Sequence, residues 1–248
     1  MAGHSKFKNI MHRKGAQDKI KAQKFAKLGK EITVAAKLGG ADPAANARLR
    51  LAEQNARGER MPKDNIERAI QKGAGGGDGV DYVEIRYEGY GPAGVAILVE
   101  VMTDNRNRAA AEIRAIFNKN GGSMGESGSV AYMFDRIGQL IYGLDAADSQ
   151  NVFEQALEVG ADDVESGDEQ HEIICAPDDL AQIALKLEET LGEAESVRLG
   201  WRPQNLIPVE DDKAEQVLRL IEALEENDDV QQVYANFELS DAALANLS

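Results

Sequence analysis

Nine cations and a single carboxylate share the stretch GHSKFKNIMHRKGAQDKIKAQKFAKLGK at residues 3–30: Lys6, Lys8, Arg13, Lys14, Lys19, Lys21, Lys24, Lys27 and Lys30 against Asp18. Lysine-rich helical faces ordinarily alternate with glutamates, because charges four residues apart attract when opposite and repel when alike. Between Lys19 and Lys30 no acid relieves that repulsion. The chemistry open to such a segment is electrostatic: its cations neutralise a phosphate backbone and release condensed counterions. His4 and His12 lie among these charges, which lower an imidazole's pKa, and they either meet phosphates or stay solvated. Plain solubility and an acidic protein partner are the competing readings of the same residues.

A second basic group is Arg106 with Arg108 in TDNRNRAAAEIRAIF. Cations are disfavoured at a helix start, so the pair needs a reason. One reason is structural: Asp104 caps the helix and pairs with the arginines, and Glu112 stands one turn from Arg108. The other is an anion seat built from two guanidinium groups and unpaired backbone N–H groups.

Other chemistry is sparse. GYGPAG at residues 89–94 matches the dinucleotide pattern G-x-G-x-x-G, which needs a strand before it and a helix after it. The β-branched run VAILVEV follows instead, so a hairpin turn is the reading. Three histidines are too scattered to define a metal site, and paired acids such as Asp178-Asp179 stand beside element ends, where they cap and solubilise. Cys175 is the one cysteine and falls in the strand-like HEIICA, as a buried inert thiol would. No nucleophile stands with a base. The chain reads as a non-enzyme that needs neither cofactor nor metal.

These groups sit on a chain of 248 residues, long enough at about 150 residues per domain for two or three domains. Its formal charge of −15 conceals a division. Residues 1–75 hold 17 Lys+Arg and 7 Asp+Glu, net +10; the totals leave 11 basic and 36 acidic residues for the rest, net −25. A basic module joined to an acidic one points to nucleic-acid contact by the basic part. The longest apolar run, 95–99, is far short of the ~20 residues of a membrane helix, and no apolar segment follows the basic start as in a secretory signal. A cytoplasmic location is expected.

The elements that must position the charges follow from periodicity. Phe25, Leu28, Ile32 and Ala35 mark one face of a helix over 15–37, with Lys19, Lys27, Lys30 and Lys37 roughly opposite. Asp42 and Pro43 predict the start of a second helix, which Gly58 follows, and PKDNIERAIQK predicts a third ending at Gly73. GAGGGDG, residues 73–79, predicts a flexible linker. Beyond it come a hairpin (YVEIRYEGYG with AGVAILVEVMTD), a helix over 106–119, the loop GGSMGESG and a strand SVAYMF. The series then runs strand IGQLIYG, helix 148–158, strand 163–165, strand HEIICAP, helix 178–190 and strand SVRLGW, the βαββαβ order of a ferredoxin-like unit. Helix 211–226 and strand VQQVYANFEL complete the earlier sheet. The expected fold class is α+β: a helical domain over 1–75, a middle α/β domain over 76–136 and 203–240, and a ferredoxin-like domain over 137–202 inserted into it.

Long motifs resemble the YebC family, which includes the mitochondrial translational activator of cytochrome oxidase subunit I. They are MAGHSKF at 1–7, RKGAQDKIKAQKFAKLGKEITVAAKLGGADP from Arg13, MPKDNIERAI from Met61, YEGYGPAG from Tyr87, TDNRNR from Thr103 and GSVAYMF from Gly128. The resemblance spans nearly the whole chain. It implies a three-domain fold with one α/β domain inserted into another. It also implies either a DNA-binding transcriptional regulator or a ribosome-associated translation factor that relieves stalling on proline-rich stretches. Carried over, the N-terminal motif sets His4, Ser5, Lys6, Arg13 and Lys14 against nucleic acid. Three positions depart from the family pattern: Phe7 for tryptophan, Ala93 for glycine, and ARGERMP where NNMP is typical. Phe7 keeps an aromatic face for a base or for the core. Ala93 after Pro92 is expected at negative φ.

The expected nucleic-acid contacts are therefore His4, Ser5, Lys6, Phe7, Lys8, Arg13, Lys14, Lys19, Lys21, Lys24, Lys27, Lys30, Arg106 and Arg108. Phosphate neutralisation does not separate RNA from DNA. However, NARLRLAEQNARGER lacks a helix-turn-helix signature, and a body of net −25 resists lying along a duplex. Ribosomal RNA or tRNA on the large ribosomal subunit is the favoured partner, duplex DNA the alternative, and an acidic protein partner the third class.

Overall fold

The computed structural model describes residues 17–75 and 81–239, with 17–20 and 211–212 by backbone alone. Three helices come first: α1 (Gln17–Gly39), α2 (Ala47–Gly58) and α3 (Lys63–Ala74). Then follow β1 (Val83–Tyr90), β2 (Ala96–Thr103), α4 (Arg106–Lys119), β3 (Ser123–Met124) and β4 (Phe134–Gly143). Next are α5 (Ser149–Val159), β5 (Asp163–Ser166), β6 (Gln170–Cys175), α6 (Leu180–Leu191) and β7 (Ser196–Pro203). The chain closes with β8 (Ile207–Val209), α7 (Asp211–Glu225), β9 (Val230–Ala235) and β10 (Phe237–Leu239). The fold class is α+β, with a helical N-terminal region and a βαββαβ unit inserted into an α/β domain.

The described residues divide into two compact units, 17–27, 81–135 and 202–239 in one and 28–75 with 136–201 in the other.

In the first unit the sheet order is β3-β1-β2-β9, antiparallel throughout, with Tyr87 opposite Val99 and Val99 opposite Val233. The alternating side chains Ile97, Val99 and Val101 pack with Ile113 and Phe117 of α4 and with Val217, Leu220, Ile221 and Leu224 of α7. GYGPAG is a hairpin turn: Gly91 N–H donates to Val95 O at 2.7 Å, and Pro92–Gly94 make one 3-10 turn. The strand expected through VQQVYANFEL breaks at Asn236. The Oδ1 of Asn236 accepts the N–H of Ala96 at 2.7 Å, and Phe237–Leu239 swings away to pair in parallel with β8, an element the periodicity did not mark.

In the second unit the sheet order is β5-β6-β4-β7, the arrangement of a ferredoxin-like unit, with α5 and α6 on one face. Its core is Leu140, Tyr142, Ile173, Cys175 and Val197 under Val152, Ala156, Ile183 and Leu187. Helix α2 meets the edge strand through Asn55, whose amide donates to Val197 O at 3.1 Å and accepts from Val197 N–H at 2.8 Å. One side chain thus imitates a neighbouring strand and closes an edge that would otherwise invite pairing with another chain. Helices α1 and α3 approach backbone to backbone: a Cβ at Gly73 would lie 2.3 Å from Thr33 O and 2.8 Å from Ala36 Cβ.

Two expectations need correction. The second helix starts at Ala47, not at Pro43, because Asn46 is the stronger cap. Its Oδ1 takes the Leu49 N–H at 3.1 Å while its amide reaches Ala35 O and Gly40 O, each at 2.8 Å. Asp42 instead accepts the Ala44 N–H in a local turn. The strand expected at SVAYMF is absent until Phe134; Ala131–Met133 form a 3-10 turn, for a reason given below.

Ala93 also departs from expectation. It sits at φ +59°, ψ +14°, the left-handed region, not at negative φ. A Cβ there costs roughly 1–2 kcal/mol, partly offset by the unfolded-state entropy that glycine would add. Ala93→Gly should therefore stabilise the first unit by about 0.5–1 kcal/mol, read as a higher midpoint in thermal or urea unfolding. A lower midpoint would contradict the strain assignment.

Candidate nucleic-acid interface

Of the expected contacts, His4, Ser5, Lys6, Phe7, Lys8, Arg13 and Lys14 lie outside the described residues. Lys19 lies in the first turn of α1. Lys21 is exposed, its ammonium 5.5 Å from the centroid of the Phe25 ring, a cation–π contact one turn along the helix. Lys24, Lys27 and Lys30 are half-buried. The Lys27 ammonium donates to Glu225 O at 2.6 Å, and Gln23 Nε2 donates to Glu226 O at 3.2 Å. Both acceptors are carbonyls at the C-terminal end of α7, where the helix dipole is negative and last-turn carbonyls lack intrahelical donors. Lys27 thus acts as a cation at a helix end, a role that lysine spacing alone did not indicate.

Asn105, not Asp104, caps α4: its Oδ1 takes the Arg108 N–H at 3.0 Å. The guanidinium of Arg108 is held by Asp229 at 2.7 Å and Asp104 at 2.8 Å, with Glu112 at 3.9 Å. Asp229 is buried and also accepts from Thr103 Oγ1 at 2.8 Å. The structural reading of Arg108 therefore holds, since it clamps the start of α4 to the turn before β9. Arg106 differs. It is exposed and shares the surroundings of Tyr87 with Arg114, which is also exposed. Burial raises the Tyr87 phenol above its ordinary pKa, and the two guanidinium groups oppose that shift. The Tyr87 hydroxyl donates to Arg106 O at 3.3 Å. Two exposed arginines beside an aromatic edge can take a phosphate and a base together.

The missed strand is explained by Glu88. Its carboxylate is almost wholly buried and accepts three backbone N–H groups, Gly128, Val130 and Ala131, each at 2.9 Å. A strand would have offered those groups to a neighbour; here they converge on one side chain. Burial alone would raise the Glu88 carboxyl, but the three N–H bonds and Arg86 at 3.6 Å outweigh it and hold the group below its ordinary pKa. Tyr90 adds a bond from its hydroxyl to Ser129 O at 2.9 Å. YEGYGPAG and GSVAYMF are therefore two halves of one cradle, and TDNRNR joins it through Tyr87. The Tyr-Glu-Gly-Tyr stretch at residues 87–90 places a carboxylate between two tyrosines, but no local rule assigns it a partner forty residues away.

Cys175 and His171 are both enclosed by the second unit. Cys175 is fully buried, and its thiol is pushed up to about 11, first by burial and then by Asp162 and Asp179, so it stays protonated at neutral pH. His171 is buried with Nδ1 2.8 Å from Ser166 Oγ and Nε2 3.0 Å from Ala147 O, a carbonyl that can only accept.

Comparison with known proteins gives three agreeing findings. Residues 5–76 match the family model for the TACO1/YebC protein N-terminal domain. Residues 82–237 match the model for the TACO1/YebC second and third domain. The crystal structure of Aq1575, a conserved hypothetical protein from Aquifex aeolicus, is similar at 43% identity and a TM-score of 0.85, covering 92% of this chain and 93% of that one.

Glu88→Gln should cost about 2–3 kcal/mol at neutral pH, because a neutral amide replaces a charged acceptor of three buried donors. A carboxyl with a lowered folded pKa contributes stability above its unfolded value of about 4.3 and loses it as pH falls through the folded value. The gap between parent and variant should therefore be constant from pH 8 to about pH 5 and close below about pH 4. Urea unfolding across that range checks it; a gap independent of pH would contradict the assignment.

Proposed function

The chain belongs to the TACO1/YebC family, and from that premise we propose that it is a non-enzymatic, nucleic-acid-binding regulator of gene expression acting on RNA at the ribosome. The observation that carries this reading is the charge division, net +10 over residues 1–75 against −25 beyond them. Phosphate attraction is sequence-independent and strong wherever cations outnumber acids, while the acidic remainder repels the same backbone. Such a molecule makes a restricted contact led by its N-terminal segment. A ribosomal site, walled by RNA and rimmed by proteins, accommodates that geometry better than an extended duplex.

Within this reading Arg13, Lys14 and Lys21 grip backbone phosphates, and Phe7 stacks on a base. Arg106 and Arg114 offer a second contact beside Tyr87. The action is positional: bound at the large subunit, the factor orders tRNA and nascent-chain geometry and relieves stalling at proline-rich stretches without making or breaking a bond itself. Duplex DNA is the alternative target of the same cations, and the test includes it.

Arg13→Glu, Lys14→Glu and Lys21→Glu together should weaken retention of single-stranded RNA on the order of tenfold or more near 0.1 M salt. The melting temperature should not change, because Lys21 is exposed. In a sucrose gradient the parent chain should travel with large ribosomal subunits and leave them when salt is raised. Unchanged RNA retention by the triple variant would defeat the basic-segment assignment. Recovery with chromosomal DNA alone would make transcription the function.

A further inference from the structure

The inserted ferredoxin-like unit carries an apolar pair that its own fold does not use. Phe153 is 51% exposed and Leu157 is 63% exposed on α5. At four residues apart they are neighbours on the helix surface, roughly 5–6 Å between Cβ atoms. The core stripe of the same helix is Val152 and Ala156, both fully buried, so the pair lies off the packing face. Single apolar residues scattered on a surface need no explanation, but two large ones on successive turns do. Glu154 and Glu158 run beside them at the same spacing, both exposed.

Charge decides what can cover this stripe. Between residues 137 and 185 there are twelve Asp and Glu and no Lys or Arg. A polyphosphate would be repelled there. A second copy packing this same face against itself would bring its own Glu154 and Glu158 against these two. A neutral apolar partner would strip water from those carboxylates and give nothing back. A segment whose lysines or arginines flank apolar side chains meets both needs, placing its apolar groups on Phe153 and Leu157 and its cations on the two glutamates.

We propose that the Phe153–Leu157 stripe, bordered by Glu154 and Glu158, docks a basic amphipathic segment of a partner protein. The docking face lies in the acidic unit and does not rest on the nucleic-acid reading. Together the two would give the chain separate contacts for phosphate and for basic protein.

The test titrates the full chain with two labelled probes, a short helical repeat of leucine and lysine and an oligolysine of equal charge. Phe153→Ser with Leu157→Ser should weaken the leucine–lysine probe by roughly tenfold, the effect of losing central apolar anchors. Oligolysine affinity, melting temperature and RNA retention should stay unchanged. Glu154→Lys with Glu158→Lys should weaken both probes. Equal affinity of parent and serine variant for the leucine–lysine probe would overturn the proposal by showing diffuse charge attraction alone. Concentration-dependent self-association of the parent, abolished in the serine variant, would also overturn it by making a second copy the occupant. Failure of RNA retention in every variant would bear on the nucleic-acid reading and leave the peptide result standing.

Discussion

Like charges on one chain repel, and this molecule concentrates that repulsion by separating the signs along the sequence. Forty-nine consecutive residues, 137–185, lack any cation, while residues 19–30 lack any acid. Within one compact unit α1 brings Lys27 to the carbonyl end of α7 at Glu225. That contact uses a lysine against a helix dipole, so the basic helix has a seat in the folded chain as well as a reason to seek phosphate. It also sorts the lysines. Lys27 is engaged by the protein itself, whereas Lys21 stands exposed over Phe25.

The middle domain shows the same economy on a smaller scale. One buried carboxylate, Glu88, gathers three amides of the 128–131 segment, and one exposed guanidinium, Arg108, gathers Asp104 and Asp229. Glu88 fixes the irregular 128–131 segment to β1, and Arg108 fixes the start of α4 to the turn before β9. Beside this scaffold the exposed Arg106 and Arg114 of α4 share the surroundings of the half-buried Tyr87 of β1. Motifs that look unrelated along the chain are thus parts of one polar scaffold.

Periodicity and punctuation were enough to read the helices, the hairpin and the βαββαβ order, because those elements bury stripes of Val, Ile and Leu at the helical or strand period. The reading failed wherever a single polar side chain overrode the local pattern. SVAYMF alternates like a strand, yet its amides belong to Glu88. Asp42-Pro43 has the chemistry of a helix start, yet Asn46 has more donors and acceptors within reach. VQQVYANFEL is continuous in pattern but is cut by Asn236 bonding to Ala96. Ala93 holds a left-handed conformation that the proline before it does not predict, inside the turn that joins the paired residues Tyr90 and Ala96. For the candidate site, charge asymmetry was legible from composition, but the partners of Lys27 and Arg108 were not, since they lie on elements distant in sequence.

The salt dependence of RNA binding tests the electrostatic claim most directly. Measured on the full chain with a ribosomal RNA fragment, log K against log salt should fall in a straight line. Its slope should be near −0.7 to −0.9 per phosphate neutralised, and should flatten by about that amount for each of Arg13, Lys14 and Lys21 replaced with alanine. A slope near zero, or one unmoved by those replacements, would show that the amino-terminal cations do not face a phosphate backbone.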